Sequence, residues 1–230
     1  GGKPLDRPER PAKKPWPDQL EAHFEDVEIG LSRTRAACGE VTEVHEVEEL
    51  FLALIARAKR FIYIENQYFT SRKIAEAIAK RLSEPNPPEI VIIHPRHADG
   101  WLEQQAMDHA RDLVAEAVET ADVRDCFEVY IPYTGETPIY VHAKLMIVDD
   151  EVLRIGSANL NNRSLGLDSE CDTILDTTRP HNANRGLEDR IRAIRVSLLA
   201  EHCGVEEPEM EAALEKHGSM QAVIAAHGSQ

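Results

Sequence analysis

One segment, YVHAKLMIVDDEVLRIGSANLNNRS at residues 140–164, combines residue types that act together in phosphoryl transfer. The polar residues that could do this chemistry are His142, Lys144, Ser157 and Asn159, and Gly156 precedes Ser157. An imidazole can attack phosphorus or move a proton, while an ammonium group and an amide bind the phosphate oxygens. The group contains no second carboxylate and no set of metal ligands. The segment therefore indicates phosphodiester chemistry without a metal.

The local pattern predicts how these side chains are brought together. Alternate residues of a strand point to the same side, so His142 and Lys144 share a face with Met146 and Val148. Asp149 does not join them by this alternation.

The sequence DDE at residues 149–151 predicts a tight turn that folds VLRIGS back as the second strand of an antiparallel hairpin. The return brings Ser157 and Asn159 toward the start of the first strand, where they add neutral donors. Gly156 is expected to leave room for a ligand or a backbone segment to come close, as the floor of an anion-sized hollow.

Composition limits the classes of function. The 230 residues are 42% apolar, enough for one sizeable core, and 26 Lys and Arg against 41 Asp and Glu give a net charge of −15. Such a surface repels nucleic-acid backbones and anionic head groups at long range, so phosphate chemistry must depend on a few cations in a cleft. The four cysteines form no framework, which favours reduced and mostly buried thiols.

No apolar run approaches the roughly 18 residues of a membrane span, and no signal peptide is evident at the start. The expected location is therefore the cytoplasm or the periphery of a membrane, with any upstream targeting sequence left open.

The order of periodic segments predicts an α/β domain. Residues 1–26 are rich in proline and charge and indicate an extended lead-in, residues 27–205 a catalytic domain, and residues 206–230 a short helical tail. Helices are predicted at 44–59, 71–82, 101–119 and 184–204, and strands at 27–35, 60–69, 87–95, 126–132, 143–157 as a hairpin, and 169–177. This order predicts a sheet with helices packed against it.

The spacing H-x-K-x4-D-x6-G-S-x-N, followed by NRSLGLDSE, closely resembles the second catalytic motif of the phospholipase D superfamily. The stretch YIENQYFTS at 63–71 is similar to the segment between the two motifs in bacterial members. The resemblance covers roughly residues 27–203. It implies a mixed, mainly parallel β-sheet between helices, and a phosphodiester reaction through a phosphohistidine with no cofactor.

The resemblance also implies residue roles. His142 would be the general acid and then the general base, Lys144 and Asn159 would bind the phosphate, and Ser157 would support them together with Gly156. Glu170 resembles the acidic residue that orients a catalytic imidazole through its second nitrogen, and Asp149 would be structural.

The chain departs from the two-motif pattern upstream. The candidates His94-Pro95-Arg96 and His109-Ala110-Arg111 carry arginine in place of lysine, and no G-S-x-N follows either. We therefore expect half of an active site: a C-terminal half whose partner, with the first motif, lies outside this chain, so that the fragment alone is inactive. A phospholipid is the favoured substrate, by hydrolysis or transfer, and the charge argues against nucleic acid.

Two alternatives stay open. Two copies of the chain could pair their His142 residues across a two-fold axis, as a phosphodiesterase or nuclease. The fragment could instead be an inert domain that binds a phosphate-bearing ligand. Elsewhere, His94 and His97 are interpreted as loop residues rather than a metal pair, and Glu65 and Asn66 as polar residues capping the next helix.

Overall fold

A computed structural model of the chain describes residues 16–17, 19–96, 118 and 120–227. Its centre is an eight-stranded sheet in the order β2-β1-β10-β9-β8-β3-β4-β5. The strands are β1 (Ile29–Arg35), β2 (Val44–His45), β3 (Phe61–Asn66), β4 (Glu89–Ile93), β5 (Phe127–Tyr130), β8 (Lys144–Val148), β9 (Val152–Gly156) and β10 (Glu170–Asp176). A separate small hairpin is formed by β6 (Tyr133–Thr134) and β7 (Thr137–Pro138).

Six helices of the described residues lie on the two faces of the sheet. They are α1 (Glu46–Arg57), α2 (Arg72–Leu82), α3 (Asn162–Gly166), α4 (Leu187–Cys203), α5 (Glu207–His217) and α6 (Met220–His227). None of the helices in these ranges is long and apolar enough to cross a membrane. The helix predicted at 101–119 falls almost wholly outside the described residues.

The helices pack in two hydrophobic cores, one on each face of the sheet. Buried side chains of α1 and α2 pack on one face of the sheet: Val47, Phe51, Leu54, Ile55, Ile74 and Ile78. Buried side chains of α4, α5 and α6 pack on the other: Ile191, Val196, Leu199, Met210, Met220 and Val223. The central strand β3 is buried along its whole length because helices cover both of its faces. The predicted tail therefore contributes to the second core.

The α/β class and the mixed sheet between helices agree with the sequence analysis, but the expectation of a mainly parallel sheet needs correction. Only β3–β4 and β4–β5 are parallel, whereas the other five pairings are antiparallel. The parallel pair β3–β4 is connected by the crossover helix α2, whereas β8 and β9 are joined by a tight turn that permits only antiparallel pairing. The alternation of helix and strand, which favours parallel pairing, is confined to the first half of the chain.

Asp149 holds this turn to the start of β3. Its carboxylate accepts hydrogen bonds from the backbone N–H groups of Lys59 at 2.8 Å, Arg60 at 2.8 Å and Phe61 at 2.9 Å. Asp149 and Asp150 both have positive φ, 57°, a conformation that aspartate tolerates better than most residues. These contacts give Asp149 a structural role, which is sufficient to explain why an aspartate occupies this position of the motif.

The cysteines differ from expectation. All four are free, but Cys38 and Cys171 are exposed and Cys126 and Cys203 are half-buried, so the prediction of mostly buried thiols is wrong.

We expect Asp149→Asn to lower the free energy of unfolding by about 2–3 kcal/mol, since a buried carboxylate that accepts three backbone N–H groups is lost. Asparagine keeps the size of the side chain and tolerates the positive φ, so the change isolates the carboxylate. Urea denaturation measures it. The matched control is Asp168→Asn in the exposed ion pair with Arg163, where we expect less than about 1 kcal/mol. Equal effects of the two substitutions would contradict the structural role of Asp149.

Candidate active site

Lys144 lies where β8 begins and β3 ends, directly opposite Asn66. Its ammonium group donates to Gln67 Oε1 at 2.9 Å and to the carbonyl oxygen of His142 at 2.8 Å. An ammonium group has three N–H donors, so within the described part of the chain one donor is left for a further acceptor. These two bonds fix the ammonium in place and leave that donor for an anion.

Gln67 connects this ammonium to the histidine. Its amide donates from Nε2 to the hydroxyl of Tyr140 at 2.5 Å while its Oε1 accepts from Lys144. The ring of Tyr140 stacks against the imidazole of His142, with centroids 6.3 Å apart and an interplanar angle of 16°. One glutamine therefore holds both the ammonium and the aromatic ring that supports the imidazole.

His142 itself is exposed, and its ring makes no hydrogen bond to the residues that the structure describes. The strand begins only at Lys144, so His142 precedes it rather than continuing its pleat. Met146 and Val148 lie in the first core, as the alternation from Lys144 predicts. An exposed imidazole whose ring has no hydrogen-bond partner in the described residues is available to a ligand at this edge of the sheet.

Asn159 is held by contacts on both sides of it in the chain. On one side, the backbone N–H of Ala158 donates to Asp172 Oδ1 at 3.2 Å. On the other, the backbone N–H of Leu160 donates to Asn66 Oδ1 at 3.1 Å. The Asn159 Oδ1 is buried without a hydrogen-bond partner among the described residues. The backbone on both sides of Asn159 is thus fixed, while its side-chain Oδ1 has no partner within the described residues.

Ser157 and Glu170 form a second small group. The hydroxyl of Ser157 donates to Glu170 Oε2 and accepts from the backbone N–H of Cys171 at 3.1 Å. Glu170 contacts Ser157 and does not hydrogen bond to His142 in this structure. Which imidazole Glu170 orients therefore stays a prediction.

A fully buried ion pair lies beneath these residues. Arg154 of β9 donates through Nε to Asp172 Oδ2 of β10 at 3.0 Å, and through its terminal nitrogens to the carbonyls of Lys144 and Ala158, each at 3.0 Å. Asp172 Oδ1 accepts from the backbone N–H of Ser157 at 3.0 Å. The pair thus ties the backbones of Lys144, Ser157 and Ala158 into one unit.

The role expected for Gly156 needs correction in the same place. A Cβ built on Gly156 would lie 1.8 Å from Asp172 Oδ1 and 2.6 Å from Asp172 Cα. The space above the glycine is therefore filled by the Asp172 side chain, which is directly opposite in the register. Gly156 makes room for the buried carboxylate and does not floor a ligand hollow.

The site's electrostatics follow from burial. Burial lowers the pKa of Lys144, Arg154 lowers it further, and the Glu170 carboxylate opposes both. Burial also lowers the pKa of Arg154, against the effect of its partner Asp172. The ammonium of Lys144 is consequently less well solvated than an ordinary lysine and binds an anion more strongly for that reason.

Sequence reasoning missed Arg154, Asp172, Gln67 and Tyr140. A signal for Arg154 existed, because alternation along VLRIG places the arginine on the same face as Val152, which is buried in the first core. A charged residue on a core-facing position needs a partner of opposite charge. Nothing comparable marks Gln67, whose importance depends on contacts 73 and 77 residues away.

The remaining candidates have other contacts than those expected. Asn66 does not cap the next helix; it accepts from the backbone N–H groups of Tyr68 and Leu160. Glu65 faces the opposite side, where it accepts from the Tyr63 hydroxyl at 2.6 Å and lies 3.1 Å from His202 Nε2. His94 is buried at the end of β4, with Nδ1 2.6 Å from the Pro95 carbonyl oxygen. His97 and His109 lie outside the described residues.

We expect Gly156→Ala to destabilise the fold by at least about 1–3 kcal/mol, because the methyl group must displace the Asp172 carboxylate. Gly166→Ala is the matched control, since its Cβ would meet His45 Cε1 at an ordinary 3.5 Å. That change should alter stability by less than about 1 kcal/mol. Thermal unfolding of both variants measures the difference, and a Gly156→Ala variant as stable as the control would refute this packing.

Comparison with known proteins gives the same family as the sequence motif. A family model described as "Cardiolipin synthase, PLD-like domain" matches residues 51–192, more than half of the chain. The chain is 26% identical over 236 residues to phospholipase D zeta 1 of Arabidopsis thaliana, covering 79% of this chain and 21% of that protein. It is 26% identical over 227 residues to phospholipase D alpha 2 of Oryza sativa subsp. japonica, covering 69% and 28%.

Among solved structures, phosphatidylserine synthase of Haemophilus influenzae Rd KW20 shares the fold with a TM-score of 0.52 at 16% identity, covering 86% of this chain and 47% of that chain. The chain thus spans less than a third of these two curated relatives. The family-model match over residues 51–192 and the relatives together lead to one assignment. The chain belongs to the phospholipase D superfamily, a group of phosphodiesterases and phosphatidyltransferases.

Proposed function

We propose that this chain is the C-terminal catalytic half of a phospholipase D-like enzyme that hydrolyses or transfers a phosphodiester, with a phospholipid as substrate. The observation that carries the proposal is the grouping at one sheet edge of an exposed imidazole, an ammonium with one donor unused, and an amide held from both sides. These are His142, Lys144 and Asn159. Together they supply a proton-transfer group and two groups that stabilise phosphoryl oxygens.

In the proposed reaction, an imidazole of the other half attacks phosphorus, and the bond from phosphorus to the leaving alcohol breaks. His142, in its charged form, gives its proton to the leaving oxygen. The neutral His142 then takes a proton from water or an alcohol, whose oxygen attacks phosphorus and releases the other imidazole. Lys144 and Asn159 bind the non-bridging oxygens throughout, and Ser157 fixes the neighbouring loop.

The contacts of Glu170 are consistent with a site that is shared between two halves. Its carboxylate bonds to Ser157 and leaves the ring of His142 without a hydrogen bond. We assign to Glu170 the positioning of the imidazole from the other half. The second ring nitrogen of that imidazole would donate a hydrogen bond to the Glu170 carboxylate. This assignment requires two halves to complete one site.

The substrate class follows from two considerations. The curated relatives named above are phospholipases D, and the solved neighbour is a phosphatidylserine synthase. The net charge of −15 disfavours a long polyanion, whereas a single phosphodiester needs only the local cation of Lys144.

We expect His142→Ala, in the natural gene product that contains this chain, to lower kcat about 10²–10⁴-fold, the usual contribution of a general acid or base. The assay follows phosphatidic acid and phosphatidylethanol formed from phosphatidylcholine in the presence of ethanol. His217→Ala, an exposed histidine at the end of α5, is the matched control and should retain activity. If the unmodified protein formed neither product, the proposed reaction on lipid would be refuted.

The pairing alternative is tested with the 230-residue chain itself. If two copies share a site, the unmodified chain alone turns over a phosphodiester, and an excess of His142→Ala chain lowers this activity, because a mixed pair holds only one His142 imidazole. Under the proposal, the unmodified chain alone is inactive.

Lys144 should also make stability depend on pH. Because its folded pKa lies below the value of 10.5 for a free lysine, the unfolded chain binds the proton more tightly, and unfolding is favoured below the folded pKa. The stability of the wild type should therefore rise relative to Lys144→Met as the pH increases through the folded pKa toward 10.5. Urea midpoints of both proteins at several alkaline pH values measure this. A difference between them that stays constant with pH would contradict the effect of burial.

A further inference from the structure

Asn66, the last residue of β3, is fully buried and lies directly opposite Lys144 at the edge of the sheet. Its side-chain Oδ1 accepts hydrogen bonds from the backbone N–H groups of Tyr68 and Leu160, each at 3.1 Å. Because an N–H group needs an acceptor, these two bonds fix which end of the Asn66 amide is the oxygen. The Nδ2 group of Asn66 must therefore point away from both N–H groups.

That Nδ2 group is buried and has no hydrogen-bond partner among the described residues. Asn159 Oδ1 and the hydroxyl oxygen of Ser71 are buried without a partner in the same ranges. All three groups belong to residues placed around Leu160. The Leu160 N–H donates to Asn66, its carbonyl oxygen accepts from the backbone N–H of Ser71 at 3.0 Å, and it directly follows Asn159 in the chain. Asn66 Nδ2 thus carries two N–H groups, beside two oxygen atoms that can accept them.

Unpaired polar groups are costly inside a protein, so native structures pair nearly all of them. Asn66 and Asn159 offer complementary groups, a donor and an acceptor, on backbones that are already joined by the bond between Asn66 and Leu160. The structure shows no hydrogen bond between the two side chains. Because both backbones are fixed, rotation of the Asn159 side chain about its own bonds is the movement that brings its Oδ1 to Asn66 Nδ2.

We infer that Asn66 is a positioning residue for Asn159. Its Nδ2 group donates a hydrogen bond to Asn159 Oδ1 when an anion is bound, and this bond turns the N–H groups of Asn159 toward the anion. An amide stabilises a phosphoryl oxygen only through its N–H groups, so the end of the amide that faces the ligand decides between attraction and repulsion. The role rests on the proposed function, in which Asn159 binds phosphate, and it gives Asn66 no contact with substrate.

Asn66→Asp isolates the donor. Aspartate has the same shape and keeps the oxygen that accepts from Tyr68 and Leu160, but it presents a second oxygen in place of Nδ2. The Asn159 amide would then turn its N–H groups toward the new carboxylate and away from the phosphate. In the natural gene product that contains this chain, we expect Asn66→Asp to lower kcat/KM for phosphatidylcholine about tenfold to a hundredfold, somewhat less than the loss of an oxyanion donor itself.

Asn161→Asp is the matched control for the added charge. Asn161 is also buried, lies two residues from Asn159, and caps α3 by accepting from the backbone N–H of Ser164 at 2.8 Å, a bond that aspartate retains. We expect Asn161→Asp to change kcat/KM less than about threefold, since no buried donor is lost. Equal losses in the two variants would mean that the charge is the cause, and would overturn the role of Asn66.

A double-mutant cycle separates positioning from a purely structural effect. If Asn66 acts through Asn159, Asn66→Asp should change kcat/KM less than about threefold when Asn159 is already alanine. A loss of the same size in both backgrounds would overturn the inference. Ser71→Ala removes the other acceptor, whose hydroxyl does not cap α2, and should change kcat/KM less than about threefold. A loss in Ser71→Ala that abolishes the effect of Asn66→Asp would mean that Nδ2 serves Ser71 instead, with the same consequence.

Binding of inorganic phosphate to the 230-residue chain gives a readout that does not depend on turnover. The rise in Tm with phosphate at constant ionic strength measures the affinity. We expect Asn66→Asp to weaken binding at least about threefold, and to have no such effect in the Asn159→Ala background. In the unmodified chain, phosphate should also shift the NMR signals of the Asn66 side-chain amide, and unchanged signals would overturn the contact without recourse to a variant.

The two measurements separate the positioning role from the reaction. The expected phosphate results with a natural gene product that forms no phosphatidic acid would retain the role of Asn66 and remove the proposed function. Turnover of phosphatidylcholine that Asn66→Asp leaves unchanged would retain the function and overturn the role. A chain whose Tm phosphate does not raise would overturn the anion-dependent contact as well.

Discussion

The buried pair of Arg154 and Asp172 is the constraint on which the site's geometry depends. Both side chains are fully buried, and the guanidinium lies 4.4 Å from the ring centroid of Phe51 in the first core. A buried ion pair contributes little net stability, because desolvation of the two charges offsets their attraction. Its value here is positional: the same two side chains bind the backbone of Lys144 on β8 and of Ser157 and Ala158 after β9. Loss of one partner would leave an unpaired charge in the core and free all three segments.

The position of Asp172 also helps to explain why Asn159 Oδ1, in the candidate site, has no hydrogen-bond partner among the described residues. Asp172 and Asn66 satisfy the backbone N–H groups around Asn159, so the backbone needs no help from the Asn159 side chain. The side-chain Oδ1 is left buried without a partner among the described residues. Such an atom costs free energy in the isolated chain. Because Oδ1 only accepts hydrogen bonds, an anion could be bound only through the Nδ2 N–H groups of Asn159, and a backbone held on both sides would spare that amide a reorganisation when the ligand arrives.

Much of the fold can be predicted from local sequence pattern. The rest depends on contacts between residues that are far apart in the sequence. Apolar periodicity places α1, α2, α4 and the strands β3, β4, β8 and β9 within a few residues, and DDE predicts the turn at Asp149. The spacing of His142, Lys144 and Asn159 predicts which residues meet at the sheet edge. The local pattern cannot tell that the space over Gly156 belongs to Asp172, because that depends on which strand lies beside β9. Gln67 is invisible for the same reason, since its partners arrive from β8 and the loop before it. Short strands such as β2, β6 and β7 have too few residues to show a period.

The exposed residues of β9, β10 and β1 and the candidate site at the sheet edge have a common origin in the direction of the strands. Strands β1 and β9 run in the same direction as β3, so their carboxyl ends reach the edge where Lys144 begins β8. Helices α4 to α6 follow β10 in the chain and pack on the side of the sheet where β3 and β4 lie, which leaves β9, β10 and β1 bare near that edge. Two groups that make no hydrogen bond within the described residues, the ring of His142 and Asn159 Oδ1, lie near the same edge, just before β8 and just after β9. The direction of the strands therefore places the exposed strands and these groups at one end of the sheet.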